Sequence, residues 1–328
     1  VQHGETGRRG SGLSGALLVS RWVEDRYAAA LESAAPDIAR VVVEPDGSVR
    51  GDATAVELAF FSGDVFPDRV RDFVLALRDA PDLRWLHTFS AGVDHPWFQV
   101  LLKRGIRLST SSGAHAVPIA HTVLLYLLAL SRDLAGWQDA QRRRAWEPHE
   151  LRDLQGLTLG VVGLGPIGLE VARLGLALGM QVVGMRRTPR GDEPCETWPL
   201  ERLGELLARA DALVLALPLT DETRELLSAA RIAQMKRGAW LINVGRGALV
   251  DEPALVAALQ SGALGGAGLD VFTVEPLPPE SPLWSLPNVL VTPHNSGDTP
   301  SNLPRACEIF LDNLARYRRG ERLRNEVS

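Results

Sequence analysis

Lysine and cysteine are almost absent from this chain of 328 residues: lysine stands only at Lys103 and Lys236, cysteine only at Cys195 and Cys307. Two cysteines cannot build a disulfide framework and show no metal-ligand spacing, so the fold must be held by its core, and a reducing cytosol suits it. The basic charge is nearly all arginine, a compositional bias without a function of its own. A formal net charge of −5 gives no reason to expect a nucleic-acid partner. Long apolar runs are missing as well. The longest, residues 123–130, is far shorter than the roughly 18 residues a membrane span requires, so no membrane partner is expected. The first dozen residues are rich in glycine, serine and arginine and hold no apolar stretch, so residues 1–12 are predicted as a disordered lead, not a secretory signal.

What is present is an ordinary globular composition, 45% hydrophobic and 23% charged, in a chain long enough for two domains of about 100–200 residues each. Short strand-like runs alternate with helix-like stretches: residues 16–19, 39–43, 57–61, 83–88 and 106–110 form a first set, and 159–162, 181–185, 212–217, 240–244, 266–270 and 289–292 a second. Such alternation predicts parallel sheets with helices on their faces, hence an α/β protein of two domains. Residues 118–131 read as a mostly apolar helix crossing the boundary, packed either in a core or against a partner subunit. Ala306, Phe310, Leu314 and Tyr317 share one face of a helix over 304–317 that has no strands of its own. It is expected to return to the first domain, which then comprises residues 13–112 with 299–328 around a second domain at 113–298.

Gly163-Leu164-Gly165-Pro166-Ile167-Gly168 follows one of these strands and opens a helix in which Val171, Leu174 and Leu178 are helically spaced. Alone, a G-x-G-x-x-G string in a chain with 31 glycines reads as a flexible loop; between strand and helix it reads as a dinucleotide-binding loop. Gly163 permits the turn, Gly165 leaves room for a pyrophosphate against the backbone, and Gly168 lets helix and strand pack closely. Pro166 and Ile167 start the helix, whose unpaired N–H groups and positive dipole end face the phosphates. In an NAD site an acidic residue about 20 residues further on binds the ribose hydroxyls. Arg186 and Arg187 stand there instead. Guanidinium groups make forked, charge-assisted bonds to a phosphate, so NADP(H) is the preferred cofactor and NAD(H) the alternative. The other reading of the two arginines is a solvated loop pair.

Three charged residues follow strand ends in the second half, where open parallel sheets place their ligand crevice: Arg246 after residues 241–245, Glu275 after 268–272 and His294 after 289–293. Each alone reads as a surface turn residue; three at successive strand ends beside a dinucleotide loop point to one site. At this point the chain resembles the D-isomer-specific 2-hydroxyacid dehydrogenases, a family that includes the glyoxylate and hydroxypyruvate reductases. The resemblance is carried by Leu83-Arg84-Trp85-Leu86 with Ser90-Ala91-Gly92-Val93-Asp94, by the 163–168 loop, by Asn243-Val244-Gly245-Arg246-Gly247, by Leu269-Asp270-Val271-Phe272 with Glu275-Pro276, and by Thr292-Pro293-His294. It implies two Rossmann-like or flavodoxin-like parallel-sheet domains, the substrate domain discontinuous. It also implies a cytoplasmic oxidoreductase that reduces a small 2-keto acid to the D-2-hydroxy acid, working as a homodimer through the helix from Pro118 and the region from Trp137 to Trp146.

Arg246, Glu275 and His294 are the implied catalytic set. Reduction of a keto acid needs a proton for the carbonyl oxygen and an anchor for the carboxylate. His294 would give the proton, Glu275 would hold its other ring nitrogen and favour the charged ring, and Arg246 would bind the carboxylate and polarise the carbonyl. The resemblance further implies a second carboxylate clamp from the N–H groups of Ala91, Gly92 and Val93 in the turn begun by Ser90. It gives Asp270 the nicotinamide carboxamide, with a buried strand-end carboxylate as the alternative, and sets Pro218, Thr220 and Val244 along the cofactor. Phe60, Phe61, Ser62, Phe89 and Trp284 are candidates for the substrate's side-chain pocket. His121-Thr122 and Asn295-Ser296-Gly297-Asp298 depart from the family's common pattern without removing a catalytic group. A nucleotide-sensing binding protein is the other functional class, since the C-terminal-binding corepressors share the fold and these motifs.

Overall fold

The computed structural model describes residues 15–78, 80–93 and 95–327, and every count of elements refers to these. The predicted lead at 1–12 and Asp94 lie outside them. The chain divides into two compact units, one from Val1–Ala114 with Pro300–Ser328 and one from His115–Thr299.

In the first unit the chain runs β1 (Ala16–Ser20), α1 (Arg21–Ala34), β2 (Ala39–Val43), β3 (Val49–Arg50), β4 (Val56–Phe61), α2 (Val70–Arg78), β5 (Trp85–Thr88), α3 (Pro96–Lys103) and β6 (Arg107–Thr110). The sheet order is β3-β2-β1-β4-β5-β6, parallel except for the β2–β3 hairpin. Every residue of β1 and β4 is buried, because helices cover both faces of a parallel sheet. Ser20 ends β1 and caps α1 by accepting the Val23 N–H at 3.2 Å.

The second unit opens with α4 (Ala116–Ser131) and α5 (Leu134–Arg143) and continues through β7 (Thr158–Val162), α6 (Pro166–Ala177), β8 (Gln181–Met185), β9 (Glu196–Trp198) and α7 (Leu203–Arg209). It then runs β10 (Ala212–Leu215), α8 (Ala229–Ile232), β11 (Ala239–Asn243), α9 (Glu252–Gln260), β12 (Leu264–Leu269) and β13 (Val289–Val291). All strands pair in parallel, in the order β13-β12-β11-β10-β7-β8-β9. From β7 the chain winds outward to β9, then crosses back to β10 and winds out the other way. The reversal between β7 and β10 opens a crevice beyond their carboxyl ends, the Rossmann-like position for a ligand. Glycines let α4 lie close on β12: a Cβ on Gly266 would come within 2.7 Å of Leu130, and one on Gly268 within 2.4 Å of Tyr126. No single helix among the described residues is long and apolar enough to cross a membrane.

The last helix, α10 (Asn302–Arg318), belongs to the first unit. Phe310 stacks on Phe60 at 4.4 Å and on Trp85 at 5.6 Å between ring centroids. Burial of one such ring contributes about 1.5–3 kcal/mol. This packing corrects one expectation. Phe60 is fully buried against α10, and Phe61, on the opposite face of β4, packs against Phe73; both rings belong to the core and not to a substrate pocket. Strands β3 and β9, at two and three residues, were too short to carry a readable alternation.

Candidate active site

The glycine loop lies at the carboxyl end of β7, beside β10. Gly163 has φ of +101°, a conformation that side chains with a Cβ disfavour, and a Cβ there would meet the Ala216 carbonyl at 2.7 Å. The N–H groups of Gly163 and Leu164 both donate to the Met185 carbonyl, at 2.9 and 3.0 Å, which ties the loop to the end of β8. Gly168 is equally constrained, since a Cβ would fall 2.0 Å from the Gly163 carbonyl oxygen. Gly165 differs: it caps α6 with extended backbone, and a Cβ there would meet nothing within 4 Å. The loop therefore turns an open backbone edge outward where Pro166 and Ile167 begin α6, a geometry that admits a pyrophosphate. Pro218 and Thr220 are exposed beyond β10, where Thr223 Oγ1 donates to the Pro218 carbonyl at 2.8 Å and accepts the Thr220 N–H at 2.8 Å. Val244 is buried beyond β11, its N–H on the Leu215 carbonyl at 3.1 Å.

Arg186 follows β8 immediately. Its Nη1 donates to Glu193 Oε1 at 2.9 Å, and the same carboxylate accepts the Arg190 and Gly191 N–H groups at 2.8 Å each. The Arg190 N–H above all, with help from Gly191 and Arg186 and against some desolvation, holds the Glu193 carboxyl down to about 2. Glu193 thus folds residues 186–193 into a closed loop and fixes one edge of the Arg186 guanidinium. Arg187 is much more exposed and pairs with Glu222 at 2.8 Å.

Along β11, β12 and β13 the strand ends present Arg246, Glu275 and His294. His294 Nδ1 lies 2.6 Å from Glu275 Oε2, while Glu275 Oε1 accepts the Phe272 N–H at 3.0 Å. Both side chains of the pair are partly open to solvent, and Nε2 of His294 makes no hydrogen bond among the described residues. Arg246 Nη1 donates to the Gly245 carbonyl at 2.8 Å, and Asn243 Nδ2 donates to the Arg246 carbonyl at 2.9 Å. Gly247 brings the Arg246 loop onto the Glu275 loop, since a Cβ on it would stand 1.9 Å from the Phe272 carbonyl carbon. Asp270, 2% exposed, spends its carboxylate on its own chain: Oδ1 accepts the Thr292 hydroxyl at 2.6 Å and the Asn295 and Ser296 N–H groups at 3.1 Å each, and Oδ2 accepts the Ser296 hydroxyl.

In the first unit the turn after β5 is braced at Ser90, whose hydroxyl donates to the Gly92 carbonyl at 2.8 Å and whose carbonyl accepts the Ser111 N–H at 3.1 Å. No acceptor for the N–H groups of Ala91, Gly92 and Val93 is found among the described residues. Ser62 is fully buried with its hydroxyl on Asp64 Oδ1 at 2.7 Å, and Phe89 is half-buried on Phe61. In the second unit Trp284 is exposed, its indole N–H on the Pro278 carbonyl at 3.0 Å.

The sequence did not single out Glu193 or Tyr126, and it placed Thr292 and Ser296 beside His294 without giving either a role. A carboxylate seven residues past a strand-end arginine was a usable signal for Glu193. Tyr126, on a helix 166 residues away from Thr292, offered none.

Fold and edge together define a dinucleotide-dependent oxidoreductase architecture. Residues 124–296 match the model of the D-isomer specific 2-hydroxyacid dehydrogenase NAD binding domain. The chain is 35% identical over 252 residues to the glyoxylate reductase of Korarchaeum cryptofilum, covering 74% of this chain and 75% of that one. It is similar in structure to the D-isomer specific 2-hydroxyacid dehydrogenase of Xanthobacter autotrophicus Py2 in complex with NADPH and MES, with a TM-score of 0.78, 34% identity, and coverage of 96% and 98%. The NADPH-dependent glyoxylate/hydroxypyruvate reductase of Sinorhizobium meliloti, in complex with NADP and sulfate, matches with a TM-score of 0.77, 29% identity, and coverage of 95% and 98%. The chain belongs to the D-isomer specific 2-hydroxyacid dehydrogenase family, a family of NAD(P)-dependent oxidoreductases.

Proposed function

We propose that the chain is a 2-keto acid reductase that uses a nicotinamide dinucleotide, NADPH ahead of NADH, to convert glyoxylate, hydroxypyruvate or a similarly small 2-keto acid to the D-2-hydroxy acid. The observation that carries this reading is the 2.6 Å contact between His294 Nδ1 and Glu275 Oε2, on the carboxyl edge of the sheet whose β7–β10 crevice holds the glycine loop. The residues fit the cofactor: Gly165 leaves open space where a Cβ would stand, and the start of α6 and Arg186 supply donors for phosphate groups. When bound, the reduced nicotinamide supplies the hydride for the carbonyl carbon. Glu275 holds Nδ1 of His294, so that a proton is exchanged at Nε2. His294 gives that proton to the oxygen of the reduced carbonyl and is reprotonated from solvent, to which its ring is open. Arg246 binds the substrate carboxylate and stabilises the charge that develops on the carbonyl oxygen. In the first unit, the N–H groups of Ala91, Gly92 and Val93 are donors suited to a carboxylate.

Support for the substrate comes from relatives named as glyoxylate and glyoxylate/hydroxypyruvate reductases, and support for NADPH from relatives whose structures hold it, together with Arg186 in place of an acidic residue. Purified protein is assayed with glyoxylate, hydroxypyruvate and pyruvate, each with NADPH and with NADH. Oxidation of NADPH faster than NADH with at least one of them is expected; oxidation of neither with any of them overturns the reading. The apolar stripe of Val117, Leu125 and Leu128 on α4, with Trp137 on α5, reads as the contact of a homodimer in the cytosol. Leu125→Glu then sediments as a monomer, and an unchanged sedimentation coefficient refutes that contact.

A further inference from the structure

His294 sits at φ of +50°, in the left-handed region that a residue with a Cβ disfavours. The turn around it must therefore be held from outside. Asp270 grips it on both sides: Thr292, two residues before the histidine, and Asn295 and Ser296, immediately after it, all donate to the one carboxylate. The Asp270 carbonyl also accepts the His294 N–H at 2.8 Å.

A second hold comes from α4. The Tyr126 hydroxyl is hydrogen-bonded to Thr292 Oγ1. A threonine hydroxyl has one proton, and here it goes to Asp270 Oδ1, so the tyrosine must be the donor to Thr292. Burial pushes the Tyr126 phenol up, which keeps that donor proton in place. One turn earlier on the same face of α4, the Thr122 hydroxyl stands between two acceptors, the Ser296 carbonyl at 3.3 Å and the Pro118 carbonyl of its own helix at 3.4 Å. The helix can reach because Gly268, two residues before Asp270, has no side chain: a Cβ there would stand 2.4 Å from the tyrosine ring. Tyr126 itself is 1% exposed.

We propose that Tyr126 is a positioning residue for the reduction, acting through the directed chain Tyr126 to Thr292 to Asp270, which fixes the turn that presents Nε2 of His294. The inference rests on the reading of His294 as the proton donor. It gives Asp270 its effect through the histidine.

The test uses the full-length protein with glyoxylate and NADPH and compares wild type with Tyr126→Phe, Thr292→Val, Thr292→Ser and His294→Ala. Tyr126→Phe keeps the ring on Gly268 and removes only the donor. It is expected to lower kcat about tenfold, since misplacement of a reacting group by about 1 Å costs up to about 10² in rate. The KM values for glyoxylate and NADPH stay within about twofold, and the solvent deuterium isotope effect on kcat increases because proton transfer becomes slower. Thr292→Val lowers kcat further, and Thr292→Ser recovers most of that loss. The inference is overturned when either Tyr126→Phe or Thr292→Val keeps wild-type kcat while His294→Ala is inactive. It is also overturned when kcat falls only in parallel with thermal stability and the isotope effect stays constant. Should Tyr126→Phe fail to fold, the Thr292→Val and Thr292→Ser pair decides alone. If His294→Ala retains activity, the proton-donor reading itself falls, an outcome distinct from both of these.

Discussion

Glu275 is held at both of its oxygens: Oε2 lies 2.6 Å from Nδ1 of His294, and Oε1 accepts the Phe272 N–H at 3.0 Å. The second bond keeps the carboxylate from turning away, so the pair behaves as one oriented unit. If His294 is the proton donor, as proposed, His294→Ala lowers kcat by about 10²–10⁴. On the proposed mechanism, Glu275→Gln keeps an acceptor near the ring but weakens the charge-assisted hold on Nδ1 of His294, and kcat falls by about tenfold or more. Steady-state kinetics of both variants check this, and a loss below threefold in His294→Ala removes the assignment.

On the proposed reading, cofactor choice turns on the loop after β8. Arg186 has one edge fixed by Glu193, and Glu193 is itself tied to the Arg190 and Gly191 N–H groups, two bonds that do not involve the arginine side chain. Hydrogen bonds to charged groups contribute about 1.5–3 kcal/mol, so Arg186→Asp shifts the ratio of kcat/KM for NADPH over NADH about 10- to 100-fold toward NADH. Arg187 is four-fifths exposed and pairs with an exposed Glu222, so Arg187→Ala shifts that ratio by only a few-fold. An unchanged ratio in Arg186→Asp rules out a 2′-phosphate contact.

The strand ends that carry the candidate site were legible because parallel strands are apolar on both faces and stop at glycine, proline or charge: the buried run from Val182 to Met185 ends β8 directly before Arg186. The same property hid the role of Phe60 and Phe61. In a strand buried on both faces no alternation separates core from pocket, and only the packing of α10 shows that Phe60 is covered. Asp270 was readable as a strand-end acid, but what its oxygens hold depends on side chains from α4 and from the loop after β13, contacts that local spacing cannot express.

His87 gives the first unit a pH dependence. Its ring is fully buried between β4 and β6, with Nδ1 2.7 Å from Ser109 Oγ and Nε2 3.0 Å from Ser111 Oγ. Ser111 spends its proton on the Thr88 carbonyl and Ser109 accepts the Trp85 indole N–H, so the neutral ring with its proton on Nε2 satisfies every partner. Burial pushes the imidazole down to about 3. The unfolded chain takes up a proton near the ordinary value of about 6.5, so this contribution to stability is present above that pH and is lost on acidification, by up to about 1.4 kcal/mol per pH unit. Thermal melts between pH 7 and 4 for wild type and His87→Gln check it: wild type falls more steeply, and parallel curves refute it.

Gly165 and Gly168 separate binding from folding within one loop. At Gly165 the backbone is extended, with φ of −79°, and a Cβ meets nothing within 4 Å, so alanine fits the fold without strain. The same Cβ occupies the space a pyrophosphate needs against the backbone. Gly165→Ala therefore melts like wild type while its KM for NADPH and for NADH rise together, because the pyrophosphate is common to both. At Gly168 a Cβ would fall 2.0 Å from the Gly163 carbonyl oxygen, a clash with backbone that no rotamer relieves because the Cβ position is fixed. Gly168→Ala must push α6 away from β7, and a loss of about 1–3 kcal/mol, as for overpacked cores, is expected before any ligand is added. Melting curves with and without NADPH distinguish the two. If Gly165→Ala binds both dinucleotides as tightly as wild type, the pyrophosphate does not lie against Gly165.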